Sequence, residues 1–169
     1  MIHLNIGSNL NSSYGDKFDN ISLTVKLLLE SKVDIKEISN LYETPSYPNK
    51  KLPKFINVGL VVKYSHDHLD LLNLISIIEK KMGRTKSTRN NPRVCDIDII
   101  DFKGLIYSEK NLKLPHPRCH LRNFVLYPIK QIDPNWTHPI MRKNVDFLIN
   151  SLSQGSRIEI TRLNKSVII

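Results

Sequence analysis

Cysteine is nearly missing from this chain. Its two copies, Cys95 and Cys119, have no metal-ligand spacing. Cys95 lies inside an apolar run, which reads as a small buried thiol. Long hydrophobic runs are missing too: no segment approaches the roughly 20 apolar residues needed to span a bilayer. The opening stretch Met1-Ile2-His3-Leu4-Asn5-Ile6 has no basic region leading into an apolar one, so it does not read as a secretion signal. A reducing, cytoplasmic setting is expected. Acidic residues are in deficit, 16 against 25 Lys and Arg, for a net charge of +9. That excess fits an anionic partner (nucleotide, nucleic acid or membrane surface) or simply a lysine-rich soluble surface, and charge alone does not choose.

The chain is 169 residues long and 40% hydrophobic, enough for one domain with a real core. A single domain over 1–169 is expected, with no internal repeat and no long linker. Residues 2–6 read as a strand ending at the turn signal Gly7-Ser8-Asn9. Helical spacing of Phe18, Ile21, Val25, Leu28 and Leu29 predicts a helix over 16–30. A strand over 34–42 follows, then a loop over 43–54 whose three prolines exclude helix and central strand. Residues 55–64 read as a strand and about 66–82 as a helix, with Ser65 as N-cap and Gly83 just past the end. A strand runs to about Phe102, with short strands at 105–107 and 112–114. Helices are expected at 120–131 and 141–152, and an edge strand at 157–163. The leading order β-α-β-β-α-β is the ferredoxin-like α+β arrangement, an antiparallel sheet with helices packed on one face.

The strand Arg93-Val94-Cys95-Asp96-Ile97-Asp98-Ile99-Ile100 carries the chemistry. Alternation points Asp96 and Asp98 to one side and Cys95, Ile97 and Ile99 to the other. Two like charges on a half-buried strand need a compensator, and a hard cation such as Mg²⁺ is the usual one. Just upstream, residues 80–93 hold Lys80, Lys81, Arg84, Lys86, Arg89 and Arg93 and no acid. Arg84, Arg89 and Arg93 offer planar forks for phosphate oxygens, and Lys86 a point charge. Lys80 and Lys81 read as a solvated helix end. Glu79 borders the apolar face of its helix, either as an ordinary border residue or as an acceptor for a nucleotide. Phe55 and Asn57 share a strand face, where a ring can stack on a flat heterocycle and an amide can meet its polar edge. His116 is held between two prolines. Arg122 and Phe124, again i and i+2, offer a second phosphate clamp and a second aromatic wall.

Several blocks occur together in one order: Ile6-Gly7-Ser8-Asn9-Leu10, Leu41-Tyr42-Glu43-Thr44-Pro45, Phe55-Ile56-Asn57, Ile78-Glu79 with Gly83-Arg84, Pro92-Arg93 with Asp96-Ile97-Asp98-Ile99-Ile100, Leu114-Pro115-His116-Pro117-Arg118, and Arg122-Asn123-Phe124-Val125-Leu126. Together they resemble the 6-hydroxymethyl-7,8-dihydropterin pyrophosphokinases of folate biosynthesis, over about residues 2–135. The resemblance implies ATP as co-substrate with two Mg²⁺ ions held by Asp96 and Asp98. It implies attack of the pterin hydroxymethyl oxygen on the β-phosphorus, with AMP leaving. It puts the pterin between Phe55 and Phe124, with Asn57 on its polar edge and Thr44, Pro45 and Tyr47 lining the pocket. Arg84 and Arg93 match the arginines used during transfer. Glu79, Lys86, Arg89, Ile99, His116 and Arg122 match nucleotide-site positions, and the proline and basic loops match mobile lids. A monomer is expected. The chain departs from some members at Asn90-Asn91, where they carry Trp-Gly. Residues 136–169 lie outside the resemblance and read as a helix and an edge strand.

A nucleic-acid-binding module on the same scaffold is the first rival, and two features oppose it. No strand carries the stacked aromatic pattern such modules use, and an Asp pair repels phosphates unless a cation intervenes. The second rival is another metal-dependent transferase. ADP as product would mark an ordinary kinase, AMP a pyrophosphoryl transfer.

Overall fold

The computed structural model describes residues 1–83 and 92–169. Its elements in chain order are β1 (Ile2–Ser8), α1 (Lys17–Glu30), β2 (Asp34–Ile38), β3 (Tyr42–Thr44), β4 (Phe55–Lys63), α2 (His68–Lys81), β5 (Asp96–Phe102), β6 (Tyr107–Ser108), β7 (Lys113–Leu114), α3 (Asn123–Ile132), α4 (Val145–Ser151), α5 (Gln154–Ile158) and β8 (Thr161–Arg162). A single 3-10 turn, Cys119–Leu121, precedes α3. The main sheet runs β5-β1-β4-β3-β8, with β2 also on β4. Every pairing within it is antiparallel. Taking β2 and β3 as one interrupted strand, this is the ferredoxin-like order.

Helices cover both faces, not one as the sequence led us to expect. Ile2, Leu4 and Ile6 of β1 and Ile56, Val58, Leu60 and Val62 of β4 form a core with Ile21, Val25 and Leu28 of α1 and Leu71, Ile75 and Ile78 of α2. The opposite face carries α3 and α4. There Ile100 packs with Val125, Leu126, Ile129, Val145 and Leu148. This explains why β1 is buried along its whole length, an unusual pattern for a one-sided sheet. Gly59 of β4 lets α3 come close. A Cβ there would lie 2.6 Å from Pro128 Cβ. Gln131 of α3 accepts from the Tyr42 hydroxyl at 2.9 Å and from the Asn40 N–H at 3.1 Å. A buried polar network holds the far end of α3. His3 Nε2 donates to Asp133 at 2.9 Å, and Trp136 Nε1 donates to Asp101 at 2.9 Å. Burial pushes the His3 pKa down, so the ring donates as neutral imidazole.

Several boundaries differ from expectation. The strand expected over 34–42 is two strands. At the break the Ser39 hydroxyl donates to Asn40 O and accepts from Gly59 N, a side-chain substitute for the ladder. β1 runs through Ser8, so the turn signal is used two residues later. Asp67, not Ser65, caps α2, accepting from Leu69 N and Asp70 N. The expected 120–131 helix is a 3-10 turn followed by α3, and the 141–152 helix begins only at Val145. The 157–163 edge strand is reduced to Thr161–Arg162, because Ser153 caps α5 and draws Arg157 and Ile158 into a helix. β6 and β7 form their own hairpin.

Gly59→Ala should be costly, since the clash is with a rigid proline ring on a packed helix. We expect a loss of about 1–3 kcal/mol in urea unfolding. An unchanged midpoint would show that α3 does not rest on β4 at this residue.

Candidate active site

The face under α3 is where the expected site residues meet. Directly opposed residues on antiparallel neighbours share a face. Gly7 pairs with Asn57 on one side and with Asp96 on the other, and Asn5 pairs with Asp98. Asp96, Gly7 and Asn57 therefore form one row across three strands, with the two outer residues ~10 Å apart by strand spacing. Gly7 is the floor of that row. A Cβ on it would stand 3.1 Å from Asn57 Oδ1 and 3.6 Å from the Phe55 ring. Asn57 is buried, and its Nδ2 donates to Thr44 Oγ1 at 3.1 Å, so its amide is fixed in one orientation. Phe55 and Phe124 are both half-buried.

Asp96 and Asp98 sit about 7 Å apart along β5 and, at an effective dielectric of about 20, repel by about 2 kcal/mol. Each is met by an arginine. Arg93 Nη1 donates to Asp96 at 2.8 Å and Arg122 Nη1 to Asp98 at 3.0 Å. The two carboxylates keep 25% and 27% side-chain exposure, so they are reachable from solvent. The Arg122 guanidinium also lies 5.3 Å from the centre of the Phe124 ring, joining the acidic half of the site to the aromatic half.

His116 reaches the same cluster. Its backbone N–H donates to Ile100 O, and its Nδ1 accepts the Arg118 N–H at 3.1 Å. The proton is therefore on Nε2, which stands 3.3 Å from Arg122 Nη1 and 4.0 Å from Asp98. With the proton on Nε2, the imidazole and the Arg122 guanidinium are neighbouring donors on one side of the site, where a single anionic oxygen can accept from both. Burial, aided by Arg122 and Arg118, lowers the His116 pKa to about 4.

The remaining expected residues separate clearly. Glu79 accepts the Ile97 N–H at 2.8 Å, anchoring the start of β5. The Ile99 side chain is buried in the α1–α2 core, so only its backbone faces the site. Pro45 is half-buried and Tyr47 is 83% exposed on the proline loop. Arg84, Lys86 and Arg89 lie outside the described residues, as do Asn90 and Asn91. The sequence marks Asn9 as a turn residue and as part of the block Ile6-Gly7-Ser8-Asn9-Leu10, with no site role attached. It is buried and bonds both Arg93 and the proline loop. The signal was the polar residue directly after Gly7 and Ser8, which a turn reading absorbed. Cys95 is a buried free thiol, as expected, and so is Cys119.

Fold and site together define a ferredoxin-like domain that joins an arginine-bracketed carboxylate pair to an amide-and-aromatic pocket. A family model described as 7,8-dihydro-6-hydroxymethylpterin-pyrophosphokinase matches residues 3–134, and the chain belongs to that family. The 2-amino-4-hydroxy-6-hydroxymethyldihydropteridine pyrophosphokinase of Aquifex aeolicus is 36% identical over 142 residues, covering 84% of this chain and 86% of that protein. The Folic acid synthesis protein FOL1 of Dictyostelium discoideum is 38% identical over 94% of this chain, which spans only 23% of that protein. The crystal structure of Plasmodium falciparum HPPK-DHPS wild type shares the fold, with a TM-score of 0.68 at 18% identity over 88% of this chain and 44% of that one.

The folded chain should refuse the proton that His116 takes up near 6.5 when unfolded. Its imidazole resonances are expected to stay neutral from pH 8 to pH 5. The associated stability is then lost as pH falls from about 6.5 towards 4, and His116→Gln should flatten that slope. A midpoint near 6.5 would contradict the burial argument.

Proposed function

We propose that this chain transfers the pyrophosphoryl group of ATP to the hydroxymethyl oxygen of 6-hydroxymethyl-7,8-dihydropterin and releases AMP, a step of folate biosynthesis. The observation that carries this reading is the row Asp96, Gly7, Asn57, which sets a carboxylate pair and a fixed amide on one face, a flat ring's width apart. In the transfer the hydroxymethyl oxygen bonds to the β-phosphorus, the bridge from that phosphorus to the α-phosphate oxygen breaks, and the hydroxyl proton is lost.

The pterin's polar edge meets Asn57, whose amide offers both donor and acceptor. Phe55 and Phe124 stack on the ring, and Thr44, Pro45 and Tyr47 line its pocket. Arg93 and Arg122 bring guanidinium forks to the phosphates, and His116 adds its Nε2–H. Arg84, Lys86 and Arg89 supply further positive charge from the basic loop. Arg84 and Arg93 act on the transferring group. Glu79 positions β5 beside the nucleotide, and Ile99 contributes backbone. Asp96 and Asp98 hold Mg²⁺, two ions in this reading, because hard carboxylate oxygens on one accessible face are its preferred donors. Held there, Mg²⁺ would supply positive charge against the triphosphate. The proline loop closes over the pterin and excludes water.

We further propose one catalytic domain over 1–169, acting as a cytoplasmic monomer without nucleic-acid or membrane partners. No helix among the described residues is long and apolar enough to cross a membrane.

Incubation with ATP, Mg²⁺ and 6-hydroxymethyl-7,8-dihydropterin should yield AMP and a pterin diphosphate. ADP would point to an ordinary kinase instead. Asp96→Ala and Asp98→Ala should each nearly abolish turnover while the fold survives, because removing one acid also removes repulsion; full activity in either would end the metal assignment. Phe124→Ala should weaken pterin binding by ~0.5–1.5 kcal/mol beyond its lost contact area, read by calorimetry. An unchanged affinity would remove Phe124 from the pocket.

A further inference from the structure

One cluster outside the site invites a metal and fails on its hydrogen bonds. Cys119, His120 and His138 bring ligand atoms within 4.8 Å of one another. However, His138 Nδ1 accepts from both Ile140 N and Met141 N at 3.2 Å. That puts the ring proton on Nε2 and leaves no lone pair for a cation. A metal-binding histidine has the reverse arrangement, donating its second N–H outward.

Asn9 carries more. It is 3% exposed and stands just beyond the end of β1. Its Oδ1 accepts the Arg93 N–H at 2.7 Å, and its own N–H donates to Arg93 O at 3.1 Å. Its Nδ2 donates to Ser46 Oγ at 3.2 Å and to Pro53 O at 3.1 Å. The amide orientation is forced, since Pro53 O only accepts and Arg93 N only donates. Both sides of this junction lead to the site. Ser46 and Pro53 close the two ends of the proline loop, next to Pro45 and two residues before Phe55. Arg93 holds Asp96 through its guanidinium at 2.8 Å. One buried side chain therefore ties the loop of the pterin pocket to the strand of the phosphate site, in surroundings where hydrogen bonds are strong and costly to break.

We infer that Asn9 is a positioning residue that couples pterin binding to nucleotide binding. This rests on the proposed function. A nucleotide that fixes Arg93 and the start of β5 also fixes the Asn9 amide, and through it the loop that the pterin needs. The loop then costs less to order when the second substrate arrives, and the same coupling must hold in reverse.

The test is a calorimetric cycle with Mg²⁺. The affinity for 6-hydroxymethyl-7,8-dihydropterin is measured with and without α,β-methylene-ATP, in the wild-type chain, Asn9→Asp and Ser46→Ala. Asn9→Asp keeps an acceptor for Arg93 N and loses the donor to Pro53 O. Ser46→Ala leaves the Arg93 side untouched and keeps the test open if the first variant does not fold. In the wild type the nucleotide analogue should tighten pterin binding on the order of fivefold or more. Asn9→Asp should bring that factor to within about twofold of one, and Ser46→Ala should lower it at least twofold, with affinity for the nucleotide analogue alone nearly constant. A purely structural role would lower the melting temperature and leave the factor intact. A wild-type factor of one, or an unchanged factor in the folded variants, overturns the inference. A wild-type chain that binds no pterin overturns the proposed function instead.

Discussion

Two carboxylates fixed on the same side of one strand are the constraint around which the site is arranged. Asp96 and Asp98 cannot turn away from each other without breaking the alternation that buries Ile97 and Ile99 in the α1–α2 core. Their repulsion of about 2 kcal/mol is a sizeable share of a small domain's stability, so it has to be answered locally. Arg93 answers from three residues upstream and Arg122 from the turn before α3. Burial, with Arg122 and Arg118 beside it, keeps the His116 ring neutral. Glu79 secures the strand from the other side by taking the Ile97 N–H. The cluster is thus charge-balanced, rigid and half-open, which suits a polyphosphate and a hard cation.

The scaffold separates support from chemistry. β1 and β4 send their large aliphatic side chains towards α1 and α2. Towards α3 they present His3, Asn5, Gly7, Asn57 and Gly59, which are small or polar, with Phe55 and Val61 of β4 on either side of them. A slip in the β1–β5 register leaves Ile100 unpaired between Leu4–Ile99 and His3–Asp101. That slip puts Asp101 on the same face as Asp96 and Asp98 while letting Ile100 join the α3 core. Asp101 is then spent on Trp136 and Gly104 N–H groups, and it fastens the segment after α3 to the sheet. The helix bearing Phe124 is held at both ends. Asn123 donates to Ser156 O at 2.6 Å at one, and His3 meets Asp133 at the other.

Much of this was legible because period-2 and period-3.6 patterns survive wherever an element is amphipathic. The β1, α1, β4, α2 and β5 sequence followed from them, and so did the shared face of Asp96 and Asp98. Tertiary contacts decided the rest. Nothing local in 34–44 shows that the Ser39 hydroxyl will take the Gly59 N–H. Nothing in 153–158 outweighs alternation until Ser153 is seen capping a turn. Ser65 and Asp67 have similar capping chemistry, and the choice of Asp67 depends on where α2 meets the sheet. Asp96 and Asp98 were visible as a pair, but their arginine partners were visible only as charge. Ile99 was assigned by position to the nucleotide, and its side chain points into the core. Asn9 was hidden because its partners are 37 or more residues away in sequence.

The central claim is that the carboxylate pair gathers a divalent cation beside the aromatic pocket. Mn²⁺ reports on both halves at once. Titrated with α,β-methylene-ATP, it should bind the wild-type chain, seen as loss of its free electron-spin resonance signal, and should broaden the ring resonances of Phe55 and Phe124. The Asp96→Ala/Asp98→Ala double variant, still folded, should do neither. Equal Mn²⁺ uptake with equal broadening in that variant would contradict the account.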